Sequence, residues 1–432
     1  IMNKVFHSVT LDIDKCKGCI NCMKRCPTEA IRVRNGRSQI NTEKCIDCGE
    51  CLRICPNRAI KAVTDTIDLL NNFKYKIALP APSFYGQFNN LDDINYVLAG
   101  LKLIGFDEVT EVSGAAELVS DVTRKLINGE ALPCKKPVIS SACPAVLRLI
   151  SIRFPELIKN VLPILAPLEV AAKAARKAAL KKTGLKSEEI GIFFISPCPA
   201  KVTAVRNPIG FDKSEIDGVI SASEVYTKLV GKMKNIENPE ELKTSGIVGI
   251  SWASSGGEAT ALLKEKYLAA DGIENVIKVL EDMEVDKLNN LDFIELNACT
   301  GGCVGGVLNV ENPFVAKARI FRLRIYLPIS CNKVDSTDYS GFMWTNPLNN
   351  TNLMKLDKDS SVAFKMLTEI EETTKLLGGL DCGTCGAPSC RAFAEDVVKG
   401  IANVDDCIVN YTKKNKGEEK MIPAPFRKEK NN

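Results

Sequence analysis

The sequence predicts an α/β core of mainly parallel sheet flanked by helices, with a small cysteine-built module at each end. Three observations carry this. Apolar runs of strand length alternate with helical segments from residue 74 to about 329, eight cysteines crowd into residues 16–55, and four more lie between Cys382 and Cys407. At 432 residues the chain has room for two or three domains and a large core. The expected boundaries are 1–72, 73–355 and 356–432.

Composition narrows the function classes. An apolar fraction of 45% with 25% charged residues is that of a globular protein, and a formal charge of +4 is too modest for a nucleic-acid surface. The basic clusters, Lys181-Lys182 and 427–430, read as a solvated helix face and a polar tail. No run of eighteen apolar residues occurs, Pro163, Pro167 and Pro197 interrupt the most hydrophobic stretches, and no signal peptide is legible. Eighteen cysteines in such a chain point to a reducing, cytoplasmic setting and to metal, not to a disulfide scaffold. The single histidine, His7, excludes histidine-rich metal sites.

The N-terminal module is the clearest part. Cys16, Cys19, Cys22 and Cys26-Pro27, then Cys45, Cys48, Cys51 and Cys55-Pro56, both keep the spacing C-x2-C-x2-C-x3-C-P of bacterial ferredoxins. Four thiols per run lie too close together for the separated knuckles of a zinc ribbon. Two [4Fe–4S] clusters are expected, one on Cys16, Cys19, Cys22 and Cys55 and the other on Cys45, Cys48, Cys51 and Cys26. The repeated PTEAI and PNRAI after each fourth cysteine mark an internal duplication.

In the core, KIALPAP, PVISSAC, GIFFISPC, GIVGIS and LDFIEL read as strands, and 91–104 and 168–182 as helices. Four runs end in loops bearing Pro82-Ser83, Cys143-Pro144, Pro197-Cys198 and Cys299. Ligands of open α/β sheets collect beyond the carboxyl ends of strands, so Cys143, Cys198, Cys299 and Cys303 can converge on one centre. The stretch ELNACTGGCVGG (295–306) supplies glycines that permit positive φ and the approach of a bulky cofactor. A zinc loop or two unrelated core cysteines would also produce this pair.

The loops SSACP (140–144), SPCPAK (196–201) and ELNACTGGC (295–303), in this order, resemble the three signature loops of the [FeFe] hydrogenase catalytic domain, over roughly residues 74–330. The resemblance implies a two-lobed α/β catalytic domain and a [4Fe–4S] cubane on Cys143, Cys198, Cys299 and Cys303. Cys303 would bridge to a diiron subcluster carrying CO, cyanide and a bridging dithiolate. Lys201 matches the lysine that binds one cyanide, and Pro82 and Ser83 the loop that contacts the other. Thiolate is a soft ligand suited to iron, and an ammonium can neutralise an anionic diatomic. Taken singly, Lys201 could be a surface lysine and Ser83 a turn cap.

The departures from that family pattern are equally specific. Ala142 stands where active members have a proton-transferring cysteine, Ala204 where an acid is expected, Ser196 and Asn297 where methionines flank the diiron pocket, and Val146 where a tryptophan is frequent. This resembles the branches assigned to sensing. Candidates for a replacement relay are Glu117, Asp121 and Glu258, against the alternative of charges on an exposed helix face. Cys134 and Cys331 fit no motif and read as buried thiols.

After a polar loop or linker at 332–361, Cys382, Cys385, Cys390 and Cys407 keep the spacing C-x2-C-x4-C-x16-C, which resembles the small Fe–S domain appended to sensing-type hydrogenases; a zinc site is the alternative. Residues 413–432 read as a charged, disordered tail. The resemblance implies slow, reversible H2 oxidation and proton reduction, three accessory clusters and a ferredoxin-like or other redox partner. A signalling partner and a homo-oligomer are compatible with it; nucleic acid and membrane are not expected. The alternative from another class is a non-catalytic electron-transfer or cluster-handling protein that kept the fold without the diiron unit.

Overall fold

The structure, a computed structural model, describes residues 6–129, 132–351, 353 and 355–414. These fall into two compact units. One draws on residues 1–45, 49–62 and 351–432, the other on 46–48 and 63–350.

In the first unit the duplicated cysteine runs fold around four short strands, β1 (Val9–Leu11), β2 (Ile31–Arg34), β3 (Arg37–Ile40) and β4 (Ile60–Ala62). β1 pairs antiparallel with β4, and β2 with β3. Asn35 and Gly36, at φ 50° and 67°, form the two-residue turn between β2 and β3, a dipeptide suited to positive φ at both positions. The apolar nucleus is small, with Val9, Met23, Ile31 and Ile60 among the thiols. The C-terminal part adds helix Ser360–Leu377, capped by Asp359 and ended by left-handed Gly378, and helix Cys390–Val398, capped by Ser389. These helices enclose a second nucleus around Ile370, Leu377 and Phe393.

The second unit holds two parallel sheets. β5 (Tyr75–Pro80), β6 (Glu108–Val109), β8 (Ile190–Ser196) and β9 (Gly218–Ser221) stand in the order β6-β5-β8-β9; β7 (Val138–Ile139), β10 (Tyr267–Asp271) and β11 (Phe293–Asn297) stand in the order β10-β11-β7. All seven residues of β8 are buried, as expected for a parallel strand covered on both faces. The register sets Pro80 beside Ile195 and Ile139 beside Ile294, so the loops after β5 and β8, and those after β7 and β11, leave from the same edge of each sheet. The helices that follow begin on proline: Pro82–Tyr85, Pro144–Arg153 and Pro199–Arg206. Proline fits the first turn because its missing N–H would have no partner there. Cys143 and Cys198 are therefore the last residues before two helices.

Several expectations are corrected. GIVGIS is not a strand: Ile247–Ser251 is helical. A Cβ on Gly249 would meet the Ser113 carbonyl oxygen at 2.2 Å, so the glycine serves close packing onto helix Val112–Asn128, which apolar periodicity cannot reveal. The helix expected over 91–104 covers Asn95–Leu103. Cys331 is exposed and Cys134 half-buried, so neither is a core thiol. Residues 332–351, 353 and 355–359 form the expected loop, broken by the short turn Ser340–Phe342, whose Phe342 carbonyl accepts from Leu165 N–H at 2.7 Å; the last two positions of the expected span already belong to helix Ser360–Leu377. Of the expected tail, 415–432 lies outside the described residues, as does the basic cluster at 427–430. No helix among the described residues is long and apolar enough to cross a membrane.

Candidate metal centre

The strand-end loops of the second unit bring thiols together around one lysine. The Lys201 ammonium donates to Cys303 Sγ at 3.5 Å. Burial opposes its charge, but Cys303, Cys198 and Cys143 outweigh that and hold it protonated above the ordinary lysine range. The Cys198 thiol is pushed up to about 11, first by burial; Lys201 works against this, and Cys303 and Cys143 add to it. Three of the four expected ligands thus share one electrostatic neighbourhood. Cys299 enters through a tight turn in which the Gly302 N–H donates to its carbonyl at 3.0 Å.

The glycines of this loop have a role the sequence did not disclose. At Gly302, φ 89°, a Cβ would lie 2.4 Å from Ser255 N, and at Gly306 it would lie 2.2 Å from the Pro197 carbonyl oxygen. The loop passes backbone to backbone against its neighbours, which fixes Cys303 opposite the Cys198 loop. Asn309 Nδ2 donates to the Cys303 carbonyl at 2.9 Å and secures the same turn.

Beside the thiols lies a cavity lined by Pro82, Ala142, Lys201, Glu258, Asn297 and Cys303, among others. Ser83, fully buried at the adjacent helix start, has a hydroxyl with no hydrogen-bond partner among the described residues; Ser254 is the same. A buried orphan hydroxyl costs about 1–3 kcal/mol, a cost that an acceptor entering the site would remove.

Two carboxylates face this region. Glu295 Oε1 accepts from Gly256 N–H at 3.0 Å and from Asn297 Nδ2 at 2.7 Å, and Oε2 accepts from Ala259 N–H at 2.8 Å. Among the described residues, Glu258 Oε2 accepts from the Ser140 hydroxyl alone, at 2.6 Å. Burial raises both carboxyls, and Glu295 raises Glu258 further. The group with more donors keeps the negative charge, so Glu258 is the member that retains a proton.

The other candidates are placed elsewhere. Glu117 is buried and saturated, accepting from Gly246 N–H at 2.7 Å, from Cys331 and Asn332 N–H at 2.9 Å each, and from Asn332 Nδ2 at 2.7 Å. Asp121 pairs with Lys125 at 2.8 Å and with Arg124. Neither lines the cavity, and neither is an exposed surface charge. Ser196 turns to its own loop, donating to the Cys198 carbonyl at 2.9 Å. Sequence reasoning missed Glu295 and Trp252 as cavity residues. A carboxylate inside the apolar run LDFIEL was the available signal for Glu295.

In the first unit, Ala30 N–H donates to Cys26 Sγ at 3.2 Å and Ala59 N–H to Cys55 Sγ at 3.3 Å, the same contact in each half of the duplication. Cys51 is raised by burial and then by Cys45, Cys26 and Cys22; Cys22 is raised by burial, with Cys19 and Cys16 adding. Cys51 thus has thiols of both cysteine runs beside it, Cys45 of its own and Cys26 and Cys22 of the first. Cys382, Cys385, Cys390 and Cys407 all line one cavity in the C-terminal part. Four convergent thiols there match a cluster or a tetrahedral metal.

Three family models match along the chain. The iron-only hydrogenase large subunit, C-terminal domain, matches residues 74–268 and 258–307; a 4Fe-4S dicluster domain matches 8–56, and an Fe–S cluster domain matches 377–409. Iron hydrogenase 1 of Clostridium pasteurianum is 24% identical over 290 residues, 54% of this chain and 50% of that protein. The probable cytosolic Fe-S cluster assembly factor oxy-4 of Caenorhabditis elegans is 24% identical over 221 residues, 40% of this chain and 48% of that protein. The chain spans about half the length of these curated relatives. Among solved structures, a variant of the [FeFe]-hydrogenase HydA1 from Chlamydomonas reinhardtii aligns with TM-score 0.45 and 20% identity, over 57% of this chain and 84% of that one. With the hydrogenase match covering more than half of its length, the chain belongs to the iron-only hydrogenase large-subunit family and carries an N-terminal 4Fe-4S dicluster domain.

Proposed function

We propose that the chain is an iron–sulfur oxidoreductase that interconverts dihydrogen with two protons and two electrons, slowly and in a regulatory or H2-sensing role. Cys143, Cys198, Cys299 and Cys303 would hold a [4Fe–4S] cubane, with Cys303 bridging to a diiron unit that carries CO, cyanide and a dithiolate. One observation carries this reading: a lysine ammonium, Lys201, and a buried hydroxyl with no hydrogen-bond partner among the described residues, Ser83, belong to the segments around the Cys303 thiol. Two such donors suit two anionic diatomic ligands, and a structural zinc site needs neither. The diiron unit, when bound, supplies the splitting and formation of the H–H bond.

The protein's own groups set the pace. Ala142 presents a methyl group where a thiol would pass protons, so it contributes no relay. Glu258 holds a proton on its carboxyl at the cavity wall, and Glu295, fixed by three donors, keeps that proton in place. We assign Glu258 the relay role and Glu117 and Asp121 a structural one. The proposed organisation is 1–72 with two clusters, 73–355 as the two-lobed catalytic domain, and 356–432 with a third accessory cluster. Partners would be H2, protons, a one-electron carrier such as a ferredoxin and, for sensing, a signalling protein in the reducing cytoplasm.

A second reading has its own support, because one relative is named as an Fe–S cluster assembly factor. In that reading the cubane is present, the diiron unit is absent, and the chain handles electrons or clusters. Anaerobic maturation with a diiron–dithiolate complex decides between them. Infrared bands from bound CO and cyanide, with slow viologen-linked H2 turnover, are expected. Their absence from a sample with a full cubane iron complement would establish the second reading, and turnover as fast as a bulk hydrogen producer would remove the sensing role.

A further inference from the structure

The C-terminal cysteine lobe and the N-terminal dicluster module belong to one compact unit, and their contacts run along residues 20–34, the stretch that holds Cys22 and Cys26. Lys24, two residues before Cys26, donates its ammonium to the carbonyls of Asp381 and of Pro388, the latter at 2.6 Å. Those carbonyls belong to residues one before Cys382 and two before Cys390. On the other side, Glu29, three residues after Cys26, accepts from the hydroxyl of Ser389, the neighbour of Cys390, at 3.2 Å. The loop between Cys382 and Cys385 lies against the helix that carries Cys22: a Cβ on Gly383 would meet Lys24 Cε at 2.9 Å and Met23 Cε at 3.1 Å. Gly386 adds a backbone bond to β2, Val33 N–H to its carbonyl at 2.9 Å.

A charged clamp fixes this geometry. Asp396, nearly buried, accepts from Arg32 Nε at 2.7 Å and Nη2 at 3.1 Å, and from Arg34 Nη2 at 2.8 Å. Arg34 also donates to the Cys385 carbonyl. A paired carboxylate with three charged donors and little exposure is a docking device and not a loose surface pair, whose worth would be small. Cys382 remains exposed while Cys407 is buried, so a cluster on these four thiols would show one corner to solvent.

We infer that this lobe is latched on the Cys22–Cys26 stretch of the dicluster module so that its cluster passes single electrons directly to the N-terminal pair, and is the port through which that pair is reduced. In each transfer an external one-electron carrier of the ferredoxin type reduces the C-terminal cluster from the 2+ to the 1+ state. That cluster returns to 2+ as one cluster of the N-terminal pair goes to 1+; no bond changes and no proton moves. The inference rests on the cluster-bearing part of the proposed function and is independent of the diiron unit.

The test uses the full chain with its iron–sulfur clusters reconstituted and without diiron cofactor. An iron and sulfide count first shows whether the clusters are present; a deficit in the wild type would speak against the cluster reading itself. In the dithionite-reduced protein, electron paramagnetic resonance is expected to show, besides the spin interaction within the N-terminal pair, a further splitting from the C-terminal cluster. Only that further splitting should disappear in the Lys24→Glu, Asp396→Asn double variant at unchanged iron. In stopped flow, reduction of the N-terminal clusters by reduced ferredoxin should slow at least tenfold in Cys390→Ser. A wild-type spectrum identical to that of the double variant, or an unchanged reduction rate in Cys390→Ser, would overturn the inference.

Discussion

Ala142, Glu258 and Glu169 each make a separate quantitative claim. A thiol at position 142 would restore a titratable group on the cavity wall, and a positioned relay contributes roughly 10²–10⁴-fold. Ala142→Cys in fully matured protein should therefore raise proton reduction by about that factor; an unchanged rate at equal cofactor loading would exclude Ala142 as the bottleneck. Glu258→Gln keeps the size and the acceptor for Ser140 but exchanges no proton. It should depress the residual turnover of the wild type and leave the infrared bands in place, whereas loss of the bands would make Glu258 a structural group. Glu169 is buried with the Ser214 hydroxyl at 2.9 and 2.8 Å on its two oxygens, and burial pushes its carboxyl up to about 7, with Ser214 and then Lys173 opposing. A carboxyl raised in the folded state gives stability that is complete below the unfolded value near 4.5 and is lost as pH rises through about 7. The loss is on the order of 3 kcal/mol. Thermal melts of the wild type should fall across this window, and Glu169→Gln should flatten the slope.

At the scale of elements, packing imposes what pattern cannot. Gly249 lets helix Ile247–Ser251 lie against helix Val112–Asn128, with the Ser113 carbonyl 2.2 Å and Glu117 Cγ 3.1 Å from where a Cβ would stand. Gly249→Ala should cost about 1–3 kcal/mol by overpacking, read as a lower urea midpoint at unchanged slope. The same contrast separates what was legible in the sequence from what was not. Strand β8 was legible because a two-sided parallel strand must be continuously apolar, and the helix starts at Pro144 and Pro199 because proline occupies the first turn. The places of Cys143 and Cys198 followed, since they immediately precede those helices. GIVGIS misled because a short apolar run with glycines has no period of its own, and the partner that makes it helical is about 130 residues away. Glu117 and Asp121 misled differently: their spacing of one turn is common to relays and to anchors. Only the backbone N–H groups of Gly246, Cys331 and Val334 identify them as anchors.

On the scale of the whole chain, the two units differ in what holds them. The second has parallel sheets and an extended core running from Phe84 and Phe193 through Leu229 to Ile320. The first has two small nuclei, one around Met23 and Ile31 and one around Leu377 and Phe393, and eleven of the twelve cysteines expected to hold accessory clusters. Cores of that size contribute little net stability, and metal binding to a site that exists only in the folded state counts in full as folding energy. Anaerobic oxidation followed by iron chelation should therefore unfold the segments within 1–62 and 351–414 while leaving the second unit folded. Limited proteolysis of the iron-free protein should then accumulate a resistant fragment spanning about 63–350, and readdition of iron and sulfide should restore resistance to the rest. Equal protection of both units in the iron-free protein would show that the first unit is held by its side chains alone, and the clusters would then be passengers in a preformed scaffold.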